Sequence, residues 1–194
     1  MSKRLPPGQE PIEKLLRWGK DHPGITSSIP KIDLINWSLV VDGEVEKPLK
    51  MNWTDFLKHP KITSKSDFHC VEGWSVLDCE WEGISFKYIA DLVKPKEIVK
   101  YVSFECSDGY STSLPLNELL EDDVLLAYRL NGKDLEDSLG GPLRLIVPKK
   151  YAYKSAMWIN KIKFISKDQL GYWESRGYSN TADVWKNDRI SLPW

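Results

Sequence analysis

The sequence has few residues of the types that usually build a metal site, and it has no long apolar run. Its 194 residues include only three histidines, three cysteines and three methionines. No stretch of about 20 apolar residues occurs, which excludes a membrane-spanning helix. The first ten residues also lack the apolar core of a secretory signal, so we expect a protein that is not exported.

The cysteines are too few and too poorly spaced for a disulfide framework. They stand at Cys70, Cys79 and Cys106, an odd number with no Cys-x-x-Cys pair. Free thiols of this kind are typical of a reducing compartment, which predicts a cytoplasmic protein.

The charges nearly cancel. Lys and Arg together number 27 and Asp and Glu number 28, for a net charge of -1. Such a chain has no overall field to attract nucleic acid or an anionic membrane, so we expect neither as a partner.

The chain is rich in apolar and aromatic residues that can form a hydrophobic core. Hydrophobic residues make up 41%, and nine of them are tryptophans. This composition and length predict a single domain over residues 1–194, with residues 1–10 as a loose lead-in and 171–194 as a tail that wraps over the surface.

The hydrophobic patterns are mostly those of strands, with short helices between them. The sequence predicts helices over 11–18, 54–58, 85–93 and 117–121, and strands at 61–69, 75–81, 101–106, 124–130, 143–147 and 158–165. Turns are predicted at Asp42-Gly43, where a hairpin should follow Asn36, and at Glu82-Gly83 and Asn131-Gly132. This pattern predicts an α+β fold.

One stretch, residues 67–75, places a thiol among polar groups. Cys70 is followed by Glu72 and Ser75 and preceded by His69. A free cysteine usually packs as a small hydrophobe. The polar neighbours favour a functional thiol, because a packing cysteine needs none of them.

A zinc site at this thiol is disfavoured, because zinc needs three or four protein ligands. The three histidines are scattered, and His69 points away from Cys70 if both lie on one strand. A metal here would have to bring most of its ligands with it.

A second stretch, Gly140-Gly141-Pro142-Leu143-Arg144, can approach an anion closely. Its glycines admit a ligand near the backbone, and arginine forms paired hydrogen bonds to phosphate. The alternative is a glycine-rich hairpin entry with a surface arginine.

Three motifs together resemble one known family. The strings His-Cys70-Val-Glu-Gly-Trp-Ser, Gly-Gly-Pro-Leu-Arg144 and Tyr-Ala-Tyr-Lys-Ser155-Ala-Met157 are similar to those of the sulfite-oxidase-like molybdopterin-binding oxidoreductases. The likeness runs from about Trp37 to Trp173 and is closest to the small stand-alone branch near the methionine sulfoxide reductase catalytic subunit. It implies a mixed, mostly β fold like the sulfite oxidase catalytic domain, and a molybdenum-molybdopterin cofactor.

The resemblance also implies a set of site residues. Cys70 would be the catalytic residue and the metal ligand. The residues implied for cofactor binding are Thr26, Ser27, His69, Cys70, Cys106, Leu139, Arg144, Ser155, Ala156 and Met157. The chain departs from the family at Leu139, where His or Asn is usual, at Met157, where a basic residue is usual, and at Cys106, where relatives have a short oxygen-bearing side chain.

The resemblance to the sulfoxide-reductase branch implies a reductive reaction, and the charge beside the cysteine disfavours sulfite. Sulfite oxidases place arginines after it, whereas this chain has Glu72, which disfavours a dianion. We expect oxygen-atom transfer at molybdenum in the reductive direction, on a small sulfoxide or N-oxide. The alternatives are oxidation of the sulfite type, or a binding domain that has lost the metal.

The reaction needs a source of electrons and a route for protons. No haem or flavin motif is visible, which predicts a separate electron-transfer partner protein; the aromatic stretch from Trp173 to Tyr178 is a candidate docking rim. Glu72 and Tyr110 are the nearest candidates for proton transfer, and each has a structural interpretation as well.

Overall fold

The computed structural model describes residues 4–26 and 28–191, in which eleven β-strands and three α-helices form. The strands are β1 Glu10–Pro11, β2 Ser38–Gly43, β3 Leu49–Asn52, β4 Ile62–His69, β5 Trp74–Ser85, β6 Tyr101–Cys106, β7 Ser111–Pro115, β8 Leu125–Leu130, β9 Lys133–Asp134, β10 Arg144–Ile146 and β11 Ile159–Ile165. The helices are α1 Trp53–Phe56, α2 Phe86–Val93 and α3 Leu116–Leu119, and short 3-10 turns occur at Asp137–Leu139, Ala152–Lys154 and Glu174–Arg176.

The strands form two mixed sheets. The first has the order β1-β5-β8-β10, with β4 paired to β5 and β9 paired to β8. The second has the order β3-β2-β11-β6-β7. Two pairs, β1 with β5 and β2 with β11, are parallel, and the others are antiparallel. The predicted fold, α+β with strands dominant, is confirmed.

Helix α2 packs on the second sheet through one apolar face. Phe86, Ile89 and Val93 are fully buried, as their helical spacing predicts. The Phe86 ring lies 5.8 Å from that of Phe104 on β6 and 6.0 Å from that of Phe164 on β11. Burying each such side chain stabilises the fold by roughly 1.5–3 kcal/mol.

The helix predicted over residues 11–18 is wrong. Residues 10 and 11 instead extend the first sheet: Glu10 N donates to Gly73 O at 2.8 Å and Ile12 N donates to Ser75 O at 2.8 Å. A short isolated helix is marginal, so pairing with an existing strand prevails. Gln9 is buried as well, so the expected loose lead-in does not extend to residues 9 and 10.

Two predicted turns are strand positions. Gly43 pairs with Phe164, and a Cβ on Gly43 would lie 2.2 Å from Phe164 O. Gly83 sits at a register shift in β5, where a Cβ would lie 2.1 Å from Leu126 O. Both glycines are needed because a neighbouring backbone lies too close for a side chain.

The hairpin and the last predicted turn are present in the structure, and α1 has an N-terminal cap. The hairpin after Asn36 forms between β2 and β3, although its connection is residues 44–48. The turn at Asn131-Gly132 joins β8 to β9 as predicted. Asn52 caps α1 by accepting a hydrogen bond from Asp55 N.

Candidate cofactor site

Cys70 lies in a tight loop between β4 and β5. Cys70 N donates to Trp74 O at 2.9 Å, and Gly73 N donates to Cys70 O at 3.1 Å. Gly73 has a φ of +104°, a backbone conformation that favours glycine. Gly73 therefore closes the loop that presents the thiol.

The Cys70 side chain lines a cavity of about 360 Å³. Of the other predicted site residues, those that line it are Arg144, Ser155, Ala156 and Met157. Glu72 and Asp108 supply carboxylates, and the aromatic lining consists of Trp18, Phe68, Trp74, Tyr110, Tyr153, Trp158, Tyr172, Trp173 and Tyr178. The three motifs that suggested the family thus meet at one cavity.

Arg144 is a buried cation without an acidic partner. Its Nη1 donates to Leu139 O at 2.8 Å and its Nη2 to Ser155 O at 3.2 Å, while its Nε has no hydrogen-bond partner. Across residues 4–26 and 28–191, no carboxylate forms an ion pair with it. Burial lowers the pKa of Arg144 to about 10. The group therefore lacks the anion that usually accompanies a buried charge.

Two aromatic rings hold the guanidinium in place. Its central carbon lies 5.0 Å from the Phe68 ring centroid and 5.6 Å from that of Trp81. Contacts of this kind stabilise a cation but leave its N–H groups able to bind an oxyanion.

Residues 155–157 lie alongside the glycine-rich turn. Leu145 N donates to Ala156 O at 2.8 Å, and Trp158 N donates to Gly140 O at 3.2 Å. A Cβ on Gly140 would lie 2.6 Å from Met157 Cγ, so glycine is required for the approach. The Ser155 hydroxyl accepts from Val147 N at 3.0 Å and retains a proton to donate to a ligand.

Without a bound metal, the Cys70 thiol is protonated at neutral pH. Burial, aided by the charge of Glu72, raises the pKa of Cys70 to about 12. A metal that binds the sulfur must displace this proton, as for any thiolate ligand.

Glu72 joins the thiol to the loop that contains His22. Its Oε2 accepts from Cys70 Sγ at 3.8 Å, and its Oε1 lies 2.6 Å from His22 Nε2. Burial raises the pKa of Glu72, but the hydrogen bonds from His22 and Trp74 outweigh that effect and lower it. The carboxylate is therefore ionised and hydrogen-bonded to three neighbours.

Four predicted residues do not line the cavity. His69 is buried on the other side of the strand, with Nδ1 2.7 Å from Ser75 Oγ. Thr26 donates to Ser28 O at 2.8 Å, and Cys106 is buried in the main core. Leu139 contributes its carbonyl oxygen to Arg144.

Ser27 lies outside the described residues. The adjoining residues 22–25 do line the cavity, which places that loop at the site. The sequence indicated the loop's location but not which of its residues face inward.

The Tyr110 side chain is fixed by a hydrogen bond from its hydroxyl. The hydroxyl donates to Tyr153 O at 2.5 Å, and burial raises the pKa of Tyr110 well above its usual value. This arrangement favours the structural interpretation of Tyr110 over proton transfer.

A buried polar network beside the site was not predicted from the sequence. Lys154 Nζ donates to Glu174 Oε1 at 2.5 Å, to Ser113 O at 2.9 Å and to Asn180 Oδ1 at 3.1 Å. Thr112 Oγ1 also donates to Glu174 at 2.5 Å. The network fastens the tail to the segment that precedes Ser155.

We expect Lys154→Met to lower the free energy of unfolding by about 3–5 kcal/mol, because Glu174 would be left buried without its counter-ion. Lys161→Ala is the control: Lys161 is partly exposed and lies 3.6 Å from Asp42, so its loss should change stability by less than about 1 kcal/mol. Urea unfolding of both variants measures the difference. Equal midpoints for the two would show that the buried pair adds nothing.

The donor set fits a cofactor that brings both a metal and an anionic group. In the described part of the chain, no cluster of three or more His, Cys, Asp or Glu side chains could hold a metal ion by itself. The cavity offers one thiol, from Cys70, and one unpaired buried cation, Arg144. A metal with its own sulfur ligands and a phosphate group meets both requirements.

None of the helices in the described residues has the length and apolarity to cross a membrane.

Comparison with protein families gives an independent result. The family model described as oxidoreductase molybdopterin binding domain matches residues 26–173. The matched range contains Cys70, Arg144 and Ser155, the three cavity residues on which the donor set depends.

Individual relatives agree with that match. The chain is 39% identical over 159 residues to the uncharacterized oxidoreductase YuiH of Bacillus subtilis. The aligned region covers 82% of this chain and 80% of that protein. It is 32% identical over 178 residues to the protein-methionine-sulfoxide reductase catalytic subunit MsrP of Campylobacter jejuni, covering 81% of this chain and 59% of that protein.

A solved structure has the same fold. The sulfane dehydrogenase SoxCD from Paracoccus pantotrophus matches with a TM-score of 0.71 and 23% identity, over 83% of this chain and 44% of that one. At this identity the likeness concerns the fold alone, and it agrees with the fold expected from the motifs.

Proposed function

The chain belongs to the oxidoreductase molybdopterin-binding domain family, and we propose that it holds molybdenum through the Cys70 thiolate, with the pterin phosphate on Arg144. Family membership makes it a molybdopterin-dependent oxidoreductase. One observation carries the proposal: a buried thiol and an unpaired buried arginine line the same cavity.

When bound, the cofactor supplies the two-electron chemistry of oxygen-atom transfer. The residues of the chain bind and orient it. Arg144 provides the positive charge, and Ser155, which also anchors Val147 N, provides a hydroxyl donor. Cys70 fixes the metal at the side of the cavity bordered by Glu72.

The proposed direction is reduction of a small sulfoxide or N-oxide. Such a reduction releases water and consumes two electrons and two protons. The acids Glu72 and Asp108 both line the cavity, and its remaining wall is largely aromatic and aliphatic. Apart from Arg144, which the phosphate would neutralise, this lining suits a neutral organic group better than the sulfite dianion. The resemblance to a sulfoxide reductase subunit supports the same direction.

The electrons are proposed to come from a separate partner protein. Trp173 and Tyr178, the ends of the predicted aromatic rim, line the cavity with ring centroids 5.1 Å apart. A partner that docks there would lie close to the cofactor.

A cytoplasmic location is also a proposal. Its support is that all three cysteines are free and buried, as expected of a protein kept reduced. Fractionation of the source cells would test it.

The proposed function is tested by turnover of the enzyme produced in a host that makes the cofactor. With a reduced viologen dye as donor, we expect near-stoichiometric molybdenum and oxidation of the dye when a dialkyl sulfoxide or a tertiary amine N-oxide is added. Sulfite with an electron acceptor should give at least about 10-fold lower turnover. Faster turnover with sulfite would overturn the proposed direction, and folded protein without molybdenum would overturn the cofactor assignment.

A further inference from the structure

Both ends of the described chain converge on the outer side of the Cys70 loop. From the N-terminal segment, Gln9 Nε2 donates to Cys70 O at 3.0 Å and Glu10 N donates to Gly73 O at 2.8 Å. From the tail, Arg189 Nη1 donates to Val71 O. Three of the four loop carbonyls thus receive donors from residues far away in the sequence.

The two ends also hold each other. Arg189 Nη2 donates to Gly8 O at 3.0 Å, and Arg189 Nε donates to Asn187 Oδ1 at 2.7 Å. A Cβ on Gly73 would lie 3.1 Å from Gly8 O, so the N-terminal segment is packed against the loop. Arg189 therefore bridges the tail, the N-terminal segment and the loop.

Side-chain packing reinforces these hydrogen bonds. Val71 packs against a small buried cluster of Tyr151, Ala182 and Val184, two of which belong to the tail. The guanidinium of Arg189 lies 5.2 Å from the Tyr151 ring centroid. Val71 is thus held by its side chain and by its carbonyl.

The side-chain amide of Gln9 contacts residues at both ends of the loop. It is buried, and besides Cys70 O it contacts Ser75, whose hydroxyl donates to Gln9 Oε1 at 2.8 Å. Ser75 in turn lies 2.7 Å from His69 Nδ1. The residues on either side of the loop are therefore tied to the same glutamine.

We propose that Gln9 and Arg189 are positioning residues that clamp the Cys70 loop and so fix the thiolate at the metal. The inference rests on the proposed function, because it takes Cys70 as the metal ligand. Groups that orient a metal ligand affect metal affinity and potential even though they do not touch the metal. Gln9 and Arg189 would do so through the backbone of the loop.

The test compares Gln9→Leu and Arg189→Lys with the control Arg4→Ala. Arg189→Lys keeps the charge but loses the forked set of donors. Arg4 is an exposed arginine that also stacks on a tail ring, 5.8 Å from the Trp185 centroid, and it makes no contact with the loop. The two clamp variants alter opposite ends of the chain, so if one does not fold the other still provides the test.

The first measurement uses cofactor-free full-length protein. Alkylation of Cys70 by iodoacetamide, followed by mass spectrometry, should be about 10-fold faster in both clamp variants, because the loop opens more often. Cys79 and Cys106 are buried elsewhere and serve as internal controls. The rate in Arg4→Ala should equal that of the unmodified protein.

The second measurement uses loaded enzyme. We expect the reduction potential of the molybdenum to shift and the metal to be lost about 10-fold faster during dialysis in the clamp variants. Lower melting temperatures with unchanged alkylation and unchanged potential would show a merely structural role and overturn the inference. If the unmodified protein contains no molybdenum, the proposed function fails, while the alkylation result still decides whether the clamp exists.

Discussion

Cys70→Ser is expected to abolish turnover while leaving the pterin bound. Serine oxygen is a harder and weaker ligand than thiolate for this metal, so metal coordination should be lost. Arg144 and Ser155, the proposed phosphate ligands, are not altered. Activity should fall by more than about 100-fold, which exceeds the 10–100-fold typical of residues that only support a metal ligand.

The matched control is Cys79→Ala. Cys79 is a buried cysteine in the apolar cluster under the first sheet, and it does not line the cavity. Its loss should lower stability slightly and leave the metal content unchanged. Released pterin is measured by fluorescence and molybdenum by elemental analysis. A Cys70→Ser variant with full molybdenum and turnover would contradict the ligand assignment.

Arg144→Met is expected to lose the cofactor as a whole. Removing one partner of a buried charge pair costs about 2–5 kcal/mol, so affinity for the cofactor should fall by about 30-fold or more. Methionine can still pack against Phe68 and Trp81, so the protein should fold. Pterin and molybdenum should decrease together, unlike in Cys70→Ser.

Arg129→Met provides the comparison for this variant. Arg129 lies on β8 beside β10 but pairs with Glu82 and Asp134 at the surface. It should retain full cofactor. The same cofactor content in Arg144→Met and Arg129→Met would show that the buried arginine does not bind the anion.

The sequence predicted those parts of the site whose signal is local. Cys70, Arg144 and Ser155 each stand in a short motif, and the cavity brings those motifs together. Helix α2 and strand β2 were predictable for a similar reason, because each buries one face with a regular period.

The contributions of distant segments were not predictable. Residues 11–18 resembled a helix because the pairing of residues 10–12 with residues 73–75 is not encoded in their own pattern. Gly43 and Gly83 resembled turns because glycine marks close backbone approach as well as chain reversal. The clamp of Gln9 and Arg189 joins residues 180 positions apart in the sequence, and only the fold reveals it.

The ligand environment of molybdenum tests the central claim most directly. X-ray absorption at the molybdenum edge counts the sulfur neighbours of the metal. Beyond the sulfurs of the pterin, the unmodified enzyme should show one more sulfur neighbour than the residual metal in Cys70→Ser. The same number of sulfur neighbours in both proteins would contradict the claim that Cys70 holds the metal.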